Sequence, residues 1–471
     1  MFYPKIIQGG MGVAVSNWVL ARAVSIAGQL GVVSGTALDV VLARRLQAGD
    51  PGGHVRQALD HFPYPEIAKR VWDHYYVEGG IAPDQPYKQI PLFTANPPQH
   101  AVELNTLANF VEVFLAKADH AGEVGINFLE KIQLPTLSSI FGAMLAGVDY
   151  ILMGAGIPRA IPGILDRFAR GEDAKLKLDV EGAPPDHDFA SVFDPKEFCG
   201  KEAPELKRPK FLAIISSATL AMTLARKSSG KVDGFIVEGS TAGGHNAPPR
   251  GGMHLSEKGE PIYGERDLPD LNKIAEQGLP FWLAGSYGAP GKLAAALALG
   301  AVGIQVGTAF AFCVESGVTP ELKQQVIEAY DAGKLVVHTD PLASPTGFPF
   351  KVLQMEGSVS SPAVYNARSR ICDLGYLRHP YRKEDGTLGY RCPAEPAASY
   401  LRKGGKEEDM EGRKCVCNGL LATVGLPQVM RDNTVEPPLL TAGDDVVNMG
   451  PFLKPDHTPM TAKEVIDVLL A

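Results

Sequence analysis

Eight short apolar runs, mostly separated by segments of helical periodicity, constrain this chain more than any other feature. They are Lys5 to Gln8, Gly31 to Ser34, Val124 to Phe128, Tyr150 to Met153, Phe211 to Ile215, Gly234 to Val237, Phe281 to Ala284 and Gly303 to Val306. Brief apolar strands alternating with Ala/Leu-rich helices such as LSSIFGAMLAGV, ATLAMTLARKSSG and GKLAAALALG are the pattern of repeated βα units around a parallel sheet. Each of these helices runs out at a glycine, the residue that most readily adopts the left-handed conformation of a helix end. The expected fold is α/β, a (β/α)8 TIM barrel, whose ligands sit at the C-terminal ends of its strands.

Two regions exceed a minimal barrel. Val55, Ala58, Leu59 and Phe62, then Ile67, Val71, Trp72 and Tyr75, fall at helical spacing and predict a helical insertion over about 42–91. After Glu315 an amphipathic helix around Leu322, Val326, Ile327 and Tyr330 leads into a stretch rich in Pro, Gly and Cys. The expected division is a barrel over 1–320 and an appendage over 321–471 packed on it. Thr461 and Glu464 form a capping box before a closing apolar stripe, so the last helix is expected to dock. The stretch from Gly171 to Pro209 reads as a long loop or small excursion.

The 471 residues are 45% hydrophobic and 21% charged, ordinary for a folded globular protein. A net charge of -8, with no Lys/Arg block, argues against nucleic acid or an anionic membrane and for small-molecule partners. No basic leader followed by an apolar run opens the chain, and cytoplasmic residence is expected. Self-association as a homo-oligomer is left open. Six cysteines are too few for a disulfide framework in so long a chain. Four of them, Cys372, Cys392, Cys415 and Cys417, cluster late at a spacing that fits no standard zinc finger. Zinc thiolates, an iron–sulfur cluster and idle buried thiols all remain open readings. Cys199 and Cys313 carry no signal beyond packing.

The chemistry concentrates in VDGFIVEGSTAGGH, from Val232 to His245, where a buried strand ends in Glu238 and is followed by Gly243, Gly244 and His245. Glycines there let backbone approach a flat ligand beside a titratable imidazole. PFWLAGSYGAP and GIQVGTAF repeat the device, with Gly285, Ser286 and Gly288, then Gly307 and Thr308, after the seventh and eighth strands. Barrels commonly hold a phosphate at those two loops, through backbone N–H groups and hydroxyls. Gly9 to Gly12 (GGMG) follow the first strand in the same way. Glu238 is assigned a supporting role, while His54 and His254 read as structural or exposed and Lys131 as solvent-facing.

Together, IIQGGMG, GQLGVVSGT, GINF, EGSTAGGH, LAGSYG and IQVGTAF resemble the FMN-dependent nitronate monooxygenases, formerly 2-nitropropane dioxygenases, over residues 5 to about 315. FMN-dependent enoyl-acyl-carrier-protein reductases carry a similar EG…GGH segment. The resemblance implies an enzyme, a flavoprotein monooxygenase binding FMN, in which the Gly10 and Met11 backbone, beside Gly12, faces the ring and Asn127 contacts the cofactor. It also implies that Glu238, Gly243 and Gly244 lie near the isoalloxazine and that Gly285, Ser286, Gly307 and Thr308 bind phosphate, with Gln305 between them. His245 would be the catalytic acid/base group, titrating near neutrality. The implied substrates are an alkyl nitronate with dioxygen, or alternatively an enoyl thioester (enoyl-ACP or enoyl-CoA) reduced with NAD(P)H. Family members usually carry glycine where Ser286 stands, and Asn246 and Arg250 are unusual neighbours of the histidine. Arg250 is expected at the surface rather than in the site.

Overall fold

All eight apolar runs are strands in the computed structural model, which describes residues 3–184, 187–200, 202–430 and 432–471. They are β1 (Ile6–Gln8), β2 (Leu30–Ser34), β3 (Val124–Leu129), β4 (Tyr150–Gly154), β5 (Lys210–Ile215), β6 (Gly234–Glu238), β7 (Phe281–Ala284) and β8 (Gly303–Val306). Every end lies within one residue of its expected position. Neighbours in sequence pair in parallel throughout, and β1 pairs with both β2 and β8, for example Ile7 opposite Leu30 and Gln305. The sheet is therefore a closed barrel.

Strands buried on both faces need apolar residues at nearly every position, which is why the runs do not alternate. Inside the cylinder, Ile7, Leu30, Val32, Leu152, Leu212, Ile236 and Trp282 pack against one another. Trp282 is fully buried, donates its indole N–H to the Pro4 carbonyl at 2.8 Å and meets Tyr3 edge-on at 5.8 Å. Those contacts seal the N-terminal end. The buried Gln8 amide accepts from the Val32 amide at 3.1 Å and donates to Ser16 Oγ at 2.9 Å, tying β1 to β2 and to the loop that follows β1.

Between β2 and β3 lie the helices Leu38–Gln47, His54–Leu59, Pro65–Tyr75 and Gln99–Lys117. The expected insertion is helical, and Val55, Ala58, Leu59, Phe62, Ile67, Val71 and Tyr75 are buried as their spacing implies. Helix Gln99–Lys117 has no sequence signal of comparable clarity because it is enclosed on nearly all sides. Glu103, Asn105, Asn109 and Glu112 are buried along with its apolar residues, so no amphipathic stripe marks it. Within Gly171 to Pro209 the chain forms a small antiparallel hairpin, Ala174–Lys177 with Ala190–Phe193.

Beyond the barrel, helix Pro320–Asp331 buries Val326 and Ile327, and two antiparallel hairpins follow it, Val337–Asp340 with Phe350–Leu353 and His379–Arg382 with Leu388–Arg391. The last helix, Ala462–Leu470, is capped reciprocally by Thr461 and Glu464 and buries Val465, Ile466 and Leu469. It docks beside helix Trp18–Ile26. Among the described residues, no helix is long and apolar enough to cross a membrane.

Gly142, in helix Thr136–Leu145, marks the tightest approach of that helix to Gln99–Lys117, since a β-carbon there would lie 2.1 Å from the Thr106 carbonyl oxygen. Helix propensity favours Ala over Gly by about 1 kcal/mol, whereas overpacking against fixed backbone costs about 1–3 kcal/mol. Gly142→Ala is expected to lower unfolding stability by about 1–2 kcal/mol in urea titration. A gain in stability would mean that the two helices do not cross there.

Candidate active site

One cavity of about 230 Å³ opens at the C-terminal ends of the strands. Gly10, Met11 and Gly12 reach it from the loop after β1, Asn127 from β3, and Glu238, Gly243, Gly244 and His245 from β6 and its loop. Gly285 and Ser286 come from the loop after β7, and Gln305, Gly307 and Thr308 from β8 and its end. Every residue that the sequence singled out for cofactor or catalysis thus lines a single space.

Local packing explains several of these identities. A β-carbon on Gly10 would lie 2.4 Å from that of Asn127, so only glycine lets the loop after β1 seat against β3. The Asn127 Oδ1 and Gln305 Oε1 atoms are buried without a hydrogen-bond partner, which is costly unless a ligand supplies donors. The Met11 amide, by contrast, already donates to Ser16 Oγ at 2.9 Å and is not free for a ring. After β7 the chain turns through left-handed backbone, φ +90° at Gly285 and +56° at Ser286. A non-glycine residue such as Ser286 costs about 1–2 kcal/mol in that conformation. Among the described residues, the Gly285, Ser286 and Gly307 amides donate to no backbone acceptor.

Burial sets the acid–base state of the cavity. Desolvation pushes the Glu238 carboxyl up to about 8 and the His245 imidazole down to about 4. The expectation that His245 titrates near neutrality is therefore corrected, because its ring is enclosed, with Nε2 2.7 Å from Ser344 Oγ and Phe350 4.7 Å away between ring centres. The imidazole therefore loses its proton at lower pH than the carboxyl, the reverse of their usual order, and at pH 7 both groups are neutral.

The C-terminal region supplies the part of the site that the sequence reading missed. Thr441 to Asp445 run across the mouth. Thr441 Oγ1 accepts from the Gly244 amide, the Asp444 amide donates to the Thr241 carbonyl, and the Gly443 amide donates to Thr308 Oγ1, each at 3.0 Å. Gly243 faces this segment closely, since a β-carbon on it would lie 2.8 Å from the Gly443 nitrogen. The Thr308 hydroxyl thus accepts from this segment and lies beside the Asp445 carboxyl. Leu377, Val416, Leu420, Leu439 and Leu440 form an apolar wall. A signal existed: Thr441-Ala442-Gly443 repeats Thr241-Ala242-Gly243, and the two tripeptides pack together.

Arg250 lies outside the cavity, exposed, and donates to the Ser216 carbonyl at 2.9 Å. Asn246 is buried and donates to the Ala242 carbonyl at 3.0 Å, steadying the loop that carries His245. Lys131 pairs with Asp179 at 2.8 Å, and His54 and His254 are exposed. Among the described residues, no group of three or more His, Cys, Asp or Glu is arranged to hold a metal ion.

Residues 200–340 match the family model for nitronate monooxygenase. A probable nitronate monooxygenase of Bacillus subtilis is 35% identical over 129 residues, 27% of this chain and 35% of that protein. Another probable nitronate monooxygenase, from Staphylococcus haemolyticus, is 28% identical over 193 residues, covering 40% of this chain and 50% of the relative. A Mycobacterium tuberculosis protein, (3aS,4S,5R,7aS)-5-hydroxy-7a-methyl-1-oxo-octahydro-1H-indene-4-carboxyl-CoA dehydrogenase, is 28% identical over 143 residues, 30% of this chain and 36% of that one. The similarity thus spans half or less of each of these relatives.

The Glu238 shift makes a stability prediction. The folded carboxyl ionises near 8 against an ordinary 4.5, so folding favours the protonated form. Its contribution is complete below about pH 4.5 and is lost as pH rises toward 8. Glu238→Gln should match the wild type in thermal midpoint at pH 5 and exceed it by several degrees at pH 8.5. Parallel pH profiles for the two proteins would refute the burial of an ionisable carboxyl.

Proposed function

We propose, on the premise that this chain is a relative of the nitronate monooxygenase family, that it is an FMN-dependent oxidoreductase that oxidises alkyl nitronates with dioxygen. The observation that carries this reading is the convergence of unsatisfied polar groups on one cavity. Asn127 Oδ1 and Gln305 Oε1 are buried acceptors awaiting N–H donors, and the amides of Gly285, Ser286 and Gly307 are spare donors suited to an anion. A molecule with a flat, N–H-bearing ring at one end and a phosphate at the other fits both sets. When bound, FMN would supply the two-electron chemistry, with dioxygen as the final oxidant.

The chain's own residues then position and select. Asn127 and Gln305 would orient the ring, and the glycine backbone after β1 and β6 would let it lie close. Glu238, protonated at neutral pH, would offer a hydrogen bond to the ligand and leaves the cavity without a repelling carboxylate. His245, neutral and steadied by Ser344, is too weak a base at about 4 to strip a proton from a neutral nitroalkane. It is suited to hydrogen-bond a substrate that arrives already as the anion, which favours a nitronate. Small molecules acted on in the cytoplasm complete this reading.

A second reading, reduction of an enoyl thioester with NAD(P)H, is favoured by the similarity to a carboxyl-CoA dehydrogenase. The apolar wall of Leu377, Leu420, Leu439 and Leu440 would suit an acyl chain. Anaerobic mixing separates the two. Propyl-2-nitronate should bleach the yellow protein without a nicotinamide, and admitted air should restore the colour. Bleaching only after NADPH would transfer the assignment to the reductase. Under the nitronate reading, His245→Ala, which removes a hydrogen bond to the anion, should lower turnover about 100-fold while FMN retention changes less than about twofold. Unchanged turnover would remove the imidazole from the chemistry.

A further inference from the structure

Cys372, Cys392, Cys415 and Cys417, although spread along the C-terminal region, line one small void beside the substrate cavity. Each lies within electrostatic reach of the other three. All are free thiols, buried or half-buried. Four thiols gathered in one buried place are unusual in a chain with only six cysteines.

One of the sulfurs meets a hydrogen-bond donor. The Asn418 side chain donates to Cys415 Sγ at 3.8 Å, and that thiol in turn reaches the Ile371 carbonyl at 3.9 Å. Charges of both signs surround the group, with Glu395 lining the void and Glu436 paired to Arg368 at 2.8 Å beside Cys415. Arg378 acts on Cys372 and Cys392, Arg368 acts on Cys415, and Lys414 lines the void. Arg368 is 4% exposed, and its Nε and Nη1 are buried without partners. Donors and positive charge arranged around neutral thiols have little to stabilise. Around thiolates they offset charge and tune a bound centre.

All four cysteines border the same void. A tetrahedral zinc needs four sulfurs about 2.3 Å from one centre, and no three candidate ligands among the described residues are so arranged. A cluster with four iron corners asks only that each thiolate reach its own iron. We propose that Cys372, Cys392, Cys415 and Cys417 are the ligands of a [4Fe–4S] cluster. Its net charge of about -2 with four thiolates is met by Arg368, Arg378 and Lys414, which outnumber the Glu395 and Glu436 carboxylates. Tyr376, Leu377, Val416 and Cys417 line both this void and the substrate cavity, so the cluster adjoins the ligand space through one layer of side chains.

The test is chemical analysis of the full chain, purified anaerobically and reconstituted with ferrous iron and sulfide. About four irons and four acid-labile sulfides per chain are expected, with an electron paramagnetic resonance signal after dithionite reduction. Cys392→Ser should lose iron and sulfide at least severalfold, while Cys199→Ser, outside the void, should keep both. Zinc without sulfide, or less than about one iron per chain after reconstitution, would overturn the proposal. Equal loss in the Cys199 variant would overturn it as well. If Cys392→Ser fails to fold, the iron-to-sulfide count of the unaltered protein decides alone, and none of these readouts depends on flavin occupancy.

Discussion

Pairing of β8 with β1 is the constraint on which the rest of the structure depends. Once the parallel sheet closes, all eight strands deliver their C-terminal ends to one rim, whatever their separation in sequence. The loops at Gly9 to Gly12, Thr241 to His245, Gly285 to Gly288 and Gly307 to Thr308 become neighbours for that reason alone. Trp282, pinned to Pro4 and Tyr3, fills the opposite end, so only the rim can open into a ligand space.

A barrel rim is ordinarily wet, and carboxyl and imidazole groups on it would titrate normally. Here desolvation alone accounts for both shifts, since no charged neighbour contributes at Glu238 or His245. The Thr441 to Asp445 segment, stitched to the rim through Gly244, Thr241 and Thr308, and the leucine wall beside it exclude the water that would restore those values. The acid–base state of the site is therefore a property of the C-terminal region as much as of the barrel. Lifting that segment would return the two groups toward their ordinary order, with the imidazole the more readily protonated neighbour and the carboxyl ionised.

How far the sequence reveals this depends on the range of the interaction. Strands buried on both faces announce themselves as apolar runs, and glycines forced by close contact, such as Gly10 against Asn127, are visible as motifs. Helix Gln99–Lys117 is invisible to periodicity because its polar residues Asn105 and Asn109 are buried too. The segment over the mouth acts through backbone amides and threonine hydroxyls, which leave almost no compositional mark. Only the recurrence of Thr-Ala-Gly at 241–243 and 441–443 hints that the two stretches meet. The His245 value was misread for a related reason: an imidazole's ordinary titration can be read from its identity, but its burial by Ser344 and Phe350 cannot.

Asp445 adds a last constraint on any anion bound at the rim. Its carboxyl shares the Thr308 hydroxyl and approaches Gly288, so it occupies the neighbourhood that the glycine loops would otherwise offer to a phosphate. Two negative charges there would repel across a poorly screened gap. Burial already holds Asp445 toward its protonated form. On the flavin reading, phosphate binding strengthens that tendency, and the proton taken up removes the repulsion. The Thr308 hydroxyl then continues to bond the segment over the mouth while the spare amides of Gly285, Ser286 and Gly307 take the anion.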